Sequence, residues 1–452
     1  MIQIGRVYGE VIGSKFTFAT KEYYEKVYVQ IVDNDSKVLV GKITGKKIVN
    51  KFLASPNVIK YIDDAMDLQR DTMYIYEATA IGTIENGVVC SDNIPALPGM
   101  VVLEADDEMV ALVYGIQKTE LKVGYLRNAV SCKAFLDVER IFNPHMTVIG
   151  KTGSGKSYFI KGLLKQMLKQ TFYVFSPSDE YNTVAEKENT ELCDDILLPL
   201  SVENFTYFLN LNLTEETILQ KINFEADKVY SVKEITAAII TYYKTMNRNQ
   251  GGQMSLNFLE QEEQEIQLPQ YALTLIQKLK NVKNLKFTRR PSETVQLKKS
   301  VVFDMSEYSQ IEQECILNYY LYRIYQKCKK IKDGSAKKHI IFIEEAHNFV
   351  PSVRNTLCKD IIVKLAREGR KYGIGLCFIT QRPRNFDQTS LSQSSNKVVF
   401  SVPHPDDAKY VLDDAVYFNP DLGPMIQSQR QGQCVIIGDA FRSELELQIN
   451  FD

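Results

Sequence analysis

The chain has 452 residues, 44% of them hydrophobic, which is enough for two or three domains with ample cores. Its 54 basic and 56 acidic residues nearly balance, which excludes binding of nucleic acid through a large overall positive charge. Any binding of nucleic acid must therefore use local clusters of basic residues. No signal peptide or bilayer-spanning run is evident, and the eight scattered cysteines form no CxxC pair, so we expect a cytoplasmic protein in a reducing compartment, without zinc or a membrane partner.

Residues 1 to about 125 predict a small β-barrel or sandwich. Short runs rich in Val, Ile, Tyr and Thr are separated by turn signals such as VDNDSK and IENG. One segment, NVIKYIDDAMDLQRD (57–71), interrupts these runs and is predicted to be helical. We predict strands in VYVQIVD (27–33), KVLVGKITGK (37–46), TMYIYEATAIGTI (72–84) and MVALVYG (109–115).

After Cys132, apolar runs alternate with amphipathic helical segments, a pattern typical of a parallel α/β sheet with helices on its faces. Residues from about 200 to 290 are predicted to be helical without strands, and LEQEEQEIQ (259–267) within them is predicted to be a charged surface helix or loop. The predicted strands are HMTVIG, TFYVFS, SVVFDM, HIIFIEE, GIGLCFIT, KVVFSV and QCVIIGD.

The segment GKTGSGKS (150–157) matches the P-loop pattern G-x-x-x-x-G-K-[ST] without a mismatch. It lies between the apolar strand MTVI and the helix SYFIKGLLKQML, so its backbone N–H groups and the helix N-terminus can surround phosphates. Lys156 is expected to reach the β- and γ-phosphates of ATP, and Ser157 to ligate Mg²⁺. The predicted nucleotide-binding residues are Thr152, Gly153, Ser154, Gly155, Lys156 and Ser157.

The segment IIFIEE (340–345) supplies the carboxylates that a P-loop needs at the end of a neighbouring strand. Glu344 is predicted to hold Mg²⁺ directly or through a metal-bound water, and Glu345 to orient and polarise the attacking water. Two adjacent carboxylates in a dry site repel each other unless a cation lies near them, and Mg²⁺ is that cation. Without the P-loop, two solvated glutamates at a strand end would be the simpler interpretation.

The tetrapeptide EEAH (344–347) also resembles the box of DEAH-type helicases, which carry two RecA-like domains in one chain. Here a single P-loop and the β-rich N-terminal region leave no room for a second such domain. A lone ATPase domain must obtain the other half of its catalytic site from a neighbouring subunit, so we expect a ring.

Further catalytic candidates lie in KLAREGRKYGIGLCFITQRP (364–383). Gln381, at the tip of the strand beside the P-loop, is predicted to sense the γ-phosphate. Arg367 and Arg370 are three residues apart on one predicted helix and share a face, so one of them is a candidate arginine finger reaching a neighbour's phosphate. A solvated basic helix face is the alternative. Arg140, shortly before the P-loop strand, is a further candidate.

The chain resembles the HerA-type ATPases of the HerA/FtsK group over nearly its whole length, and IPALPGMVVLEAD lies in a region similar to their HAS-barrel. The resemblance implies a HAS-like barrel at 1–128, a RecA-like P-loop ATPase domain at 129–200 and 291–452, and a helical insertion at 201–290. It also implies that Arg140 and Arg370 contact ATP or act in trans. The segments that carry it, in the family's order, are VIGKTGSGKS, FSPSDEY, FIEEAHNFVP, AREGRKYGIGLCFITQRP, LSQSSNKVVFSVPHPDD and GQCVIIGDAFR.

The resemblance further implies a homo-hexamer that uses ATP and Mg²⁺ to translocate double-stranded DNA through a central pore. Family members work with a partner nuclease such as NurA, and some bacterial ones with an antiviral effector. An alternative function remains open at this point. The ring would then be an ATP-binding scaffold that assembles and switches a nuclease or an NAD-consuming defence effector, with little translocation.

Overall fold

A computed structural model describes most of the chain. The described residues are 2–33, 36–50, 72–119, 121–143, 145–186, 189–225, 228–250, 268–290, 294–330, 338–413 and 422–451. The predicted helix at 57–71 and the charged segment at 259–267 lie outside them.

The strands and helices are numbered in chain order. The strands are β1 Gln3–Ile12, β2 Lys15–Thr20, β3 Tyr28–Val32, β4 Val38–Asn50, β5 Thr72–Glu85, β6 Val88–Val89, β7 Val101–Glu104, β8 Leu121–Leu126, β9 Ala129–Leu136, β10 His145–Ile149, β11 Thr171–Ser176, β12 Thr190–Cys193, β13 Leu197–Pro199, β14 Val229–Ser231, β15 Lys286–Thr288, β16 Ser300–Asp304, β17 His339–Ile343, β18 Ile374–Thr380, β19 Asn396–Val399, β20 Gln433–Gly438 and β21 Leu445–Ile449. The α-helices are α1 Asp107–Tyr114, α2 Val138–Ile141, α3 Lys156–Gln166, α4 Val202–Leu209, α5 Leu213–Lys221, α6 Val232–Gln250, α7 Gln270–Lys280, α8 Gln310–Lys330, α9 Ala346–Phe349, α10 Lys359–Glu368, α11 Gln388–Ser392, α12 Pro405–Leu412 and α13 Leu422–Gln427. Short 3₁₀-helices cover Asp179–Val184, Gly369–Tyr372 and Pro383–Asn385.

The chain forms two compact units: residues 1–141, 153–155 and 396–452 make the first, and residues 142–152 and 156–395 make the second. The first unit begins with antiparallel strands in the order β2-β1-β7-β3-β4-β5-β6. Because β2 also pairs with β5, six of these strands close on themselves. The predicted N-terminal β-barrel is therefore confirmed.

Alternating side chains fill the barrel, as the period of two in a strand requires. In β2, Phe16, Phe18 and Thr20 are buried while the residues between them are not. The ring of Phe18 stacks on that of Tyr76 in β5, with centroids 5.0 Å apart. This aromatic pair adds a side-chain contact between β2 and β5, the two strands whose pairing closes the barrel.

The segment MVALVYG was predicted to be a strand, and this is wrong: it lies in helix α1. Two acidic residues occupy the first turn, where they interact favourably with the helix dipole, and Gly115 ends the helix at φ 74°. Val110, Val113 and Tyr114 are buried at helical spacing. The composition of this run favours a strand, but its apolar residues share one helical face.

The predicted strands KVVFSV and QCVIIGD do form, as β19 and β20, but they pair antiparallel rather than parallel. The first unit continues this arrangement through β21, β8 and β9, in which every neighbouring pair is antiparallel. A fully buried apolar run looks the same in sequence for either direction of pairing, so the pattern alone could not distinguish them.

The second unit is built on a parallel sheet in the order β12-β16-β11-β17-β18-β10. All residues of β10, β16, β17 and β18 are buried, as expected when helices cover both faces of a sheet. Because the strands are parallel, their carboxyl ends meet at one edge. That edge receives the P-loop after β10, the carboxylate pair after β17 and Gln381 after β18.

Among the described residues from 201 to 290 there are four helices, α4 to α7, and two short strands that the sequence did not predict. Strand β15 lies between β13 and β14 in a small three-stranded sheet. Phe205 packs on Phe287 with ring centroids 4.6 Å apart, and Lys278 pairs with the buried Glu215 at 2.7 Å. Strands of three residues carry too short a pattern to be recognised in sequence.

All eight cysteines are free thiols, and seven of them are buried, so no disulfide supports the fold. Within the described ranges, no helix has both the length and the apolar character needed to cross a membrane.

Candidate nucleotide-binding and hydrolysis site

The P-loop follows β10 and opens α3, the context that the motif requires. Gly153 and Gly155 adopt φ of 74° and 113°, which side-chain-bearing residues rarely do. The carbonyl of the buried Ser154 accepts a 2.9 Å hydrogen bond from the amide of Gly432. The two glycines therefore allow a backbone path that another residue would strain.

Lys156 folds back over the loop. Its Nζ donates to the carbonyl oxygens of Gly150 at 2.8 Å and Lys151 at 3.0 Å. Burial lowers the pKa of Lys156, although the charges of Glu345, Glu344 and Glu180 act in the opposite direction. The ammonium group thus lies in the field of the carboxylates at the same edge of the sheet.

Gln381 connects the P-loop to the second carboxylate. The hydroxyl of Thr152 donates to Oε1 of Gln381, and Nε2 of Gln381 donates to Oε1 of Glu345 at 2.8 Å. The structure therefore brings together four of the predicted site residues: Thr152, Lys156, Glu345 and Gln381.

Glu344 is buried among hydroxyl groups. Its Oε2 accepts hydrogen bonds from Ser176 at 2.5 Å and Ser178 at 3.3 Å, and its Oε1 accepts one from Tyr181 at 3.5 Å. Burial raises the pKa of Glu344 to about 7, and the charges of nearby glutamates add to this effect. An extra cation at this position would favour the ionised carboxylate.

Glu345 lies just beyond the strand in the left-handed backbone region, at φ 49° and ψ 43°, where it precedes the four-residue helix α9. Such a conformation in a non-glycine residue costs on the order of 1–3 kcal/mol and is concentrated at functional sites. Burial raises the pKa of Glu345, opposed by the charges of Lys156 and Arg382. The backbone turn directs this carboxylate differently from that of its neighbour Glu344.

The donor set at this edge is suited to Mg²⁺. The hydroxyl of Tyr181 donates to Oε1 of Glu344 and also interacts with the side chain of Ser157, so the two predicted metal ligands share one neighbour. Within the described part of the chain, no group of three or more His, Cys, Asp or Glu side chains could hold a metal by itself. Mg²⁺ usually takes one or two protein oxygens and completes its shell with phosphate and water, which this arrangement allows.

The predicted arginines lie elsewhere. Arg367 is near the end of α10, but Arg370 is on the 3₁₀-helix that follows, so the two are not on one α-helix as predicted. The α-helix ends where Gly369 packs close to Ile374, and Gly373 at φ 70° then leads into β18. Both arginines are exposed and precede β18, at the sheet edge opposite Glu345 and Gln381.

Arg140 belongs to the first unit, where its guanidinium donates to the carbonyl of Gly115 at 3.3 Å. Within the second unit, the structure does not bring Arg367 or Arg370 into the hydrogen-bonded cluster.

Several residues of the cluster were not predicted from the sequence: Ser176, Ser178 and Tyr181 around Glu344, and Arg382 near Glu345. Arg382 directly follows Gln381, so its proximity was readable from the sequence. Ser176 is the last residue of β11, and Ser178 and Tyr181 follow it; nothing local in the sequence says that β11 lies beside β17.

The sequence and the fold are similar to those of known proteins. Residues 121–324 match the family model described as "Helicase HerA, central domain". The chain is 26% identical to "Probable helicase MJ1565" of Methanocaldococcus jannaschii, over 97% of this chain and 89% of that protein. It is 25% identical to "DNA double-strand break repair helicase HerA" of Sulfolobus acidocaldarius, over 99% of this chain and 93% of that protein.

Among solved structures, VirB4 of Thermoanaerobacter pseudethanolicus is similar with a TM-score of 0.51 at 14% identity, over 74% of this chain and 97% of that chain. This likeness concerns the fold alone. The predicted fold class, an α/β P-loop ATPase domain preceded by a small β-barrel, is confirmed.

Proposed function

We propose that this chain, a member of the HerA helicase family, hydrolyses ATP to move on double-stranded DNA in the repair of double-strand breaks. The observation that carries the proposal is the hydrogen-bonded chain from Thr152 through Gln381 to Glu345. It joins the phosphate-binding loop to a carboxylate at the carboxyl edge of a parallel sheet, the arrangement needed for hydrolysis of a bound nucleoside triphosphate.

Each side chain of the cluster has a distinct part in the proposed hydrolysis. Lys156 contacts the β- and γ-phosphates, and Gln381 contacts the γ-phosphate and orients the attacking water. Glu345 accepts the proton of that water as its oxygen bonds to the γ-phosphorus and the bond to ADP breaks. Glu344 and Ser157 would hold Mg²⁺, which when bound neutralises charge on the phosphate oxygens.

The arginines support a ring of identical subunits. Arg370 precedes β18, whereas Gln381 follows it, and the strand has seven residues. At ~3.3 Å per residue, the two edges of the sheet are roughly 20 Å apart. Arg370 is therefore far from the phosphates bound by its own subunit, and we propose that it contacts those of a neighbour in a homo-hexamer. Arg140 and Arg367 are further candidates for this role.

Break repair requires removal of DNA strands as well as movement along them. We propose that the ring works with a partner nuclease of the NurA kind, and an antiviral effector is the other candidate partner. Phosphate contacts from local basic clusters would hold the duplex without reading its sequence.

The function is tested by ATP hydrolysis measured with and without linear duplex DNA. The wild-type protein should hydrolyse ATP faster when duplex is added, and Glu345→Gln should abolish hydrolysis at every DNA concentration. Glu203→Gln, an exposed change on α4, serves as the matched control and should behave like the wild type. Hydrolysis that persists in Glu345→Gln would refute the assignment of this site.

A further inference from the structure

His347 is a buried residue of α9, two positions after Glu345. Its Nδ1 lies 3.3 Å from Oε2 of Glu345 and 3.1 Å from the hydroxyl oxygen of Thr380. The ring therefore reaches back to the carboxylate that we assign as the general base.

The two oxygens of the Glu345 carboxylate have different surroundings. Oε1 accepts a hydrogen bond from Gln381, whereas Oε2 is buried and has no hydrogen-bond partner among the residues that the structure describes. Leaving a buried acceptor unsatisfied costs about 1–3 kcal/mol, and more for a charged group. Nδ1 of His347 is positioned to satisfy Oε2 with a small rotation of either side chain.

Thr380, the last residue of β18, fixes the ring in place. Its hydroxyl oxygen accepts from the amide of Arg382 at 3.1 Å and faces Nδ1 of His347, and its carbonyl accepts from the amide of Gly150 at 3.3 Å. A displacement of Thr380 would thus change its contacts with both the P-loop and the imidazole of His347.

The environment keeps this imidazole neutral. Burial lowers the pKa of His347 to about 4, and the charge of Arg382 adds to the effect. A neutral N–H can orient a carboxylate without stabilising its anion as strongly as a cation would, so the carboxylate keeps its basicity.

We propose that His347 is a positioning residue for ATP hydrolysis: its single Nδ1–H is shared between Oε2 of Glu345 and the hydroxyl oxygen of Thr380 in a three-centre bond, while the Gln381 amide holds Oε1. The carboxylate is then fixed through both oxygens, each of which retains a lone pair to accept the proton of water. This inference rests on the proposed role of Glu345 as the base. Orientation of a base is a part of the ~10²–10⁴-fold that general base catalysis supplies.

Two substitutions separate this role from simple packing. In His347→Asn the side-chain amide nitrogen occupies the place of Nδ1, whereas in His347→Gln it occupies the place of Nε2. We expect His347→Gln to lower kcat roughly 10- to 100-fold with the Kd for ATP unchanged, because it removes orientation of the base, which is a part of the ~10²–10⁴-fold of general base catalysis. His347→Asn should keep most of the wild-type kcat.

His339 offers a matched control on β17, the strand that precedes Glu345 and His347 in the chain. It opens β17, its Nδ1 is 3.3 Å from the hydroxyl of Tyr173, and burial likewise lowers its pKa to about 4. His339→Asn and His339→Gln should lower the melting temperature of the protein without a difference in kcat between them. His339 lies at the end of β17 that is remote from Glu345. An effect that appears at both His339 and His347 therefore reports only the loss of a buried imidazole.

Equal kcat values for His347→Asn and His347→Gln, in a wild-type background that hydrolyses ATP, would overturn the inference and leave the proposed function intact. A wild-type protein without ATPase activity would instead overturn the proposed function.

If the His347 variants do not fold, Thr380→Val and Thr380→Ser replace them. The valine variant, which lacks the hydroxyl that holds the ring, should lose kcat and the serine variant should keep it; equal kcat values for these two would also overturn the inference.

Discussion

Nε2 of Gln381 donates a 2.8 Å hydrogen bond to Oε1 of Glu345, and the same side chain accepts from the Thr152 hydroxyl through its own Oε1. One amide therefore contacts both the phosphate-binding loop and the carboxylate. We propose that a γ-phosphate oxygen bonded to this amide would shift it relative to Glu345, so that the site would distinguish ATP from ADP.

The first prediction concerns this amide. Gln381→Ala should lower kcat for ATP hydrolysis about 10-fold or more, because the base loses a positioned donor. The Kd for ATP should change by less than about 3-fold, since Lys156 and the P-loop still bind the phosphates. Steady-state hydrolysis and a nucleotide-binding titration measure the two quantities, with Gln388→Ala on α11 as the exposed control. A variant with unchanged kcat would exclude a catalytic part for Gln381.

The second prediction separates binding from chemistry. Glu345→Gln should bind ATP with wild-type affinity and lose turnover, because it removes the proton acceptor but no phosphate contact. Lys156→Ala should weaken ATP binding as well, because it removes a cation from the phosphates. Nucleotide-binding titrations measure the affinity of both variants for ATP. An equal loss of ATP binding in the two would mean that Glu345 is misassigned.

The third prediction follows from the raised pKa of Glu344, which burial moves from 4.5 to about 7. The folded protein binds this proton more tightly than the unfolded chain does, so the contribution of Glu344 to folding stability falls as pH rises from 4.5 to 7. A shift of this size corresponds to roughly 3 kcal/mol at most. Glu344→Gln does not ionise and should therefore gain stability relative to the wild type between pH 5 and pH 8.

Thermal melts in EDTA without nucleotide measure this difference, with the exposed Glu203→Gln as control. A difference in melting temperature between Glu344→Gln and the wild type that stays constant across that pH range would contradict the raised pKa.

The fourth prediction concerns Arg370. A guanidinium can contact the γ-phosphate through two parallel hydrogen bonds, which an ammonium cannot reproduce. Arg370→Lys should therefore lose nearly as much ATPase activity as Arg370→Ala, with ATP binding and the hexamer retained. Solution mass measurements with an ATP analogue and DNA check the assembly, and a persistent monomer that hydrolyses ATP at the full rate would exclude the ring.

Mixing subunits tests whether Arg370 acts across an interface. When Arg370→Ala and Glu345→Gln subunits are combined, some interfaces pair an intact Glu345 with an intact Arg370 of the neighbour. Activity should then return in part. An inactive mixture with proven subunit exchange would defeat the trans assignment and transfer the role to Arg140.

The strand and helix on either side of the P-loop were predictable because their signals are local. The P-loop requires a strand before it and a helix after it, and both are present as β10 and α3. Likewise, Glu344 and Gln381 each follow a fully buried strand, so their place at one sheet edge followed from the parallel arrangement.

Other features depend on strand order or backbone geometry, which the sequence pattern does not contain. The hydroxyls around Glu344 come from β11 and the segment after it, so they reach Glu344 only because β11 pairs with β17. The run MVALVYG has a strand-like composition but a helical burial pattern. Arg370 lies outside the predicted α-helix because α10 ends at Glu368, and Gly369, a poor helix former, begins a 3₁₀-helix.

ATP-driven movement along duplex DNA is tested by the rate of hydrolysis on a series of linear duplexes of increasing length at equal concentrations of DNA ends. A translocase that enters at ends stays on longer duplexes for more steps, so the ATP consumed per bound ring should rise with length, and Glu345→Gln should show no hydrolysis on any of them. Hydrolysis that is independent of length once the duplex exceeds the binding site would contradict translocation and favour a ring that uses ATP to switch a bound partner.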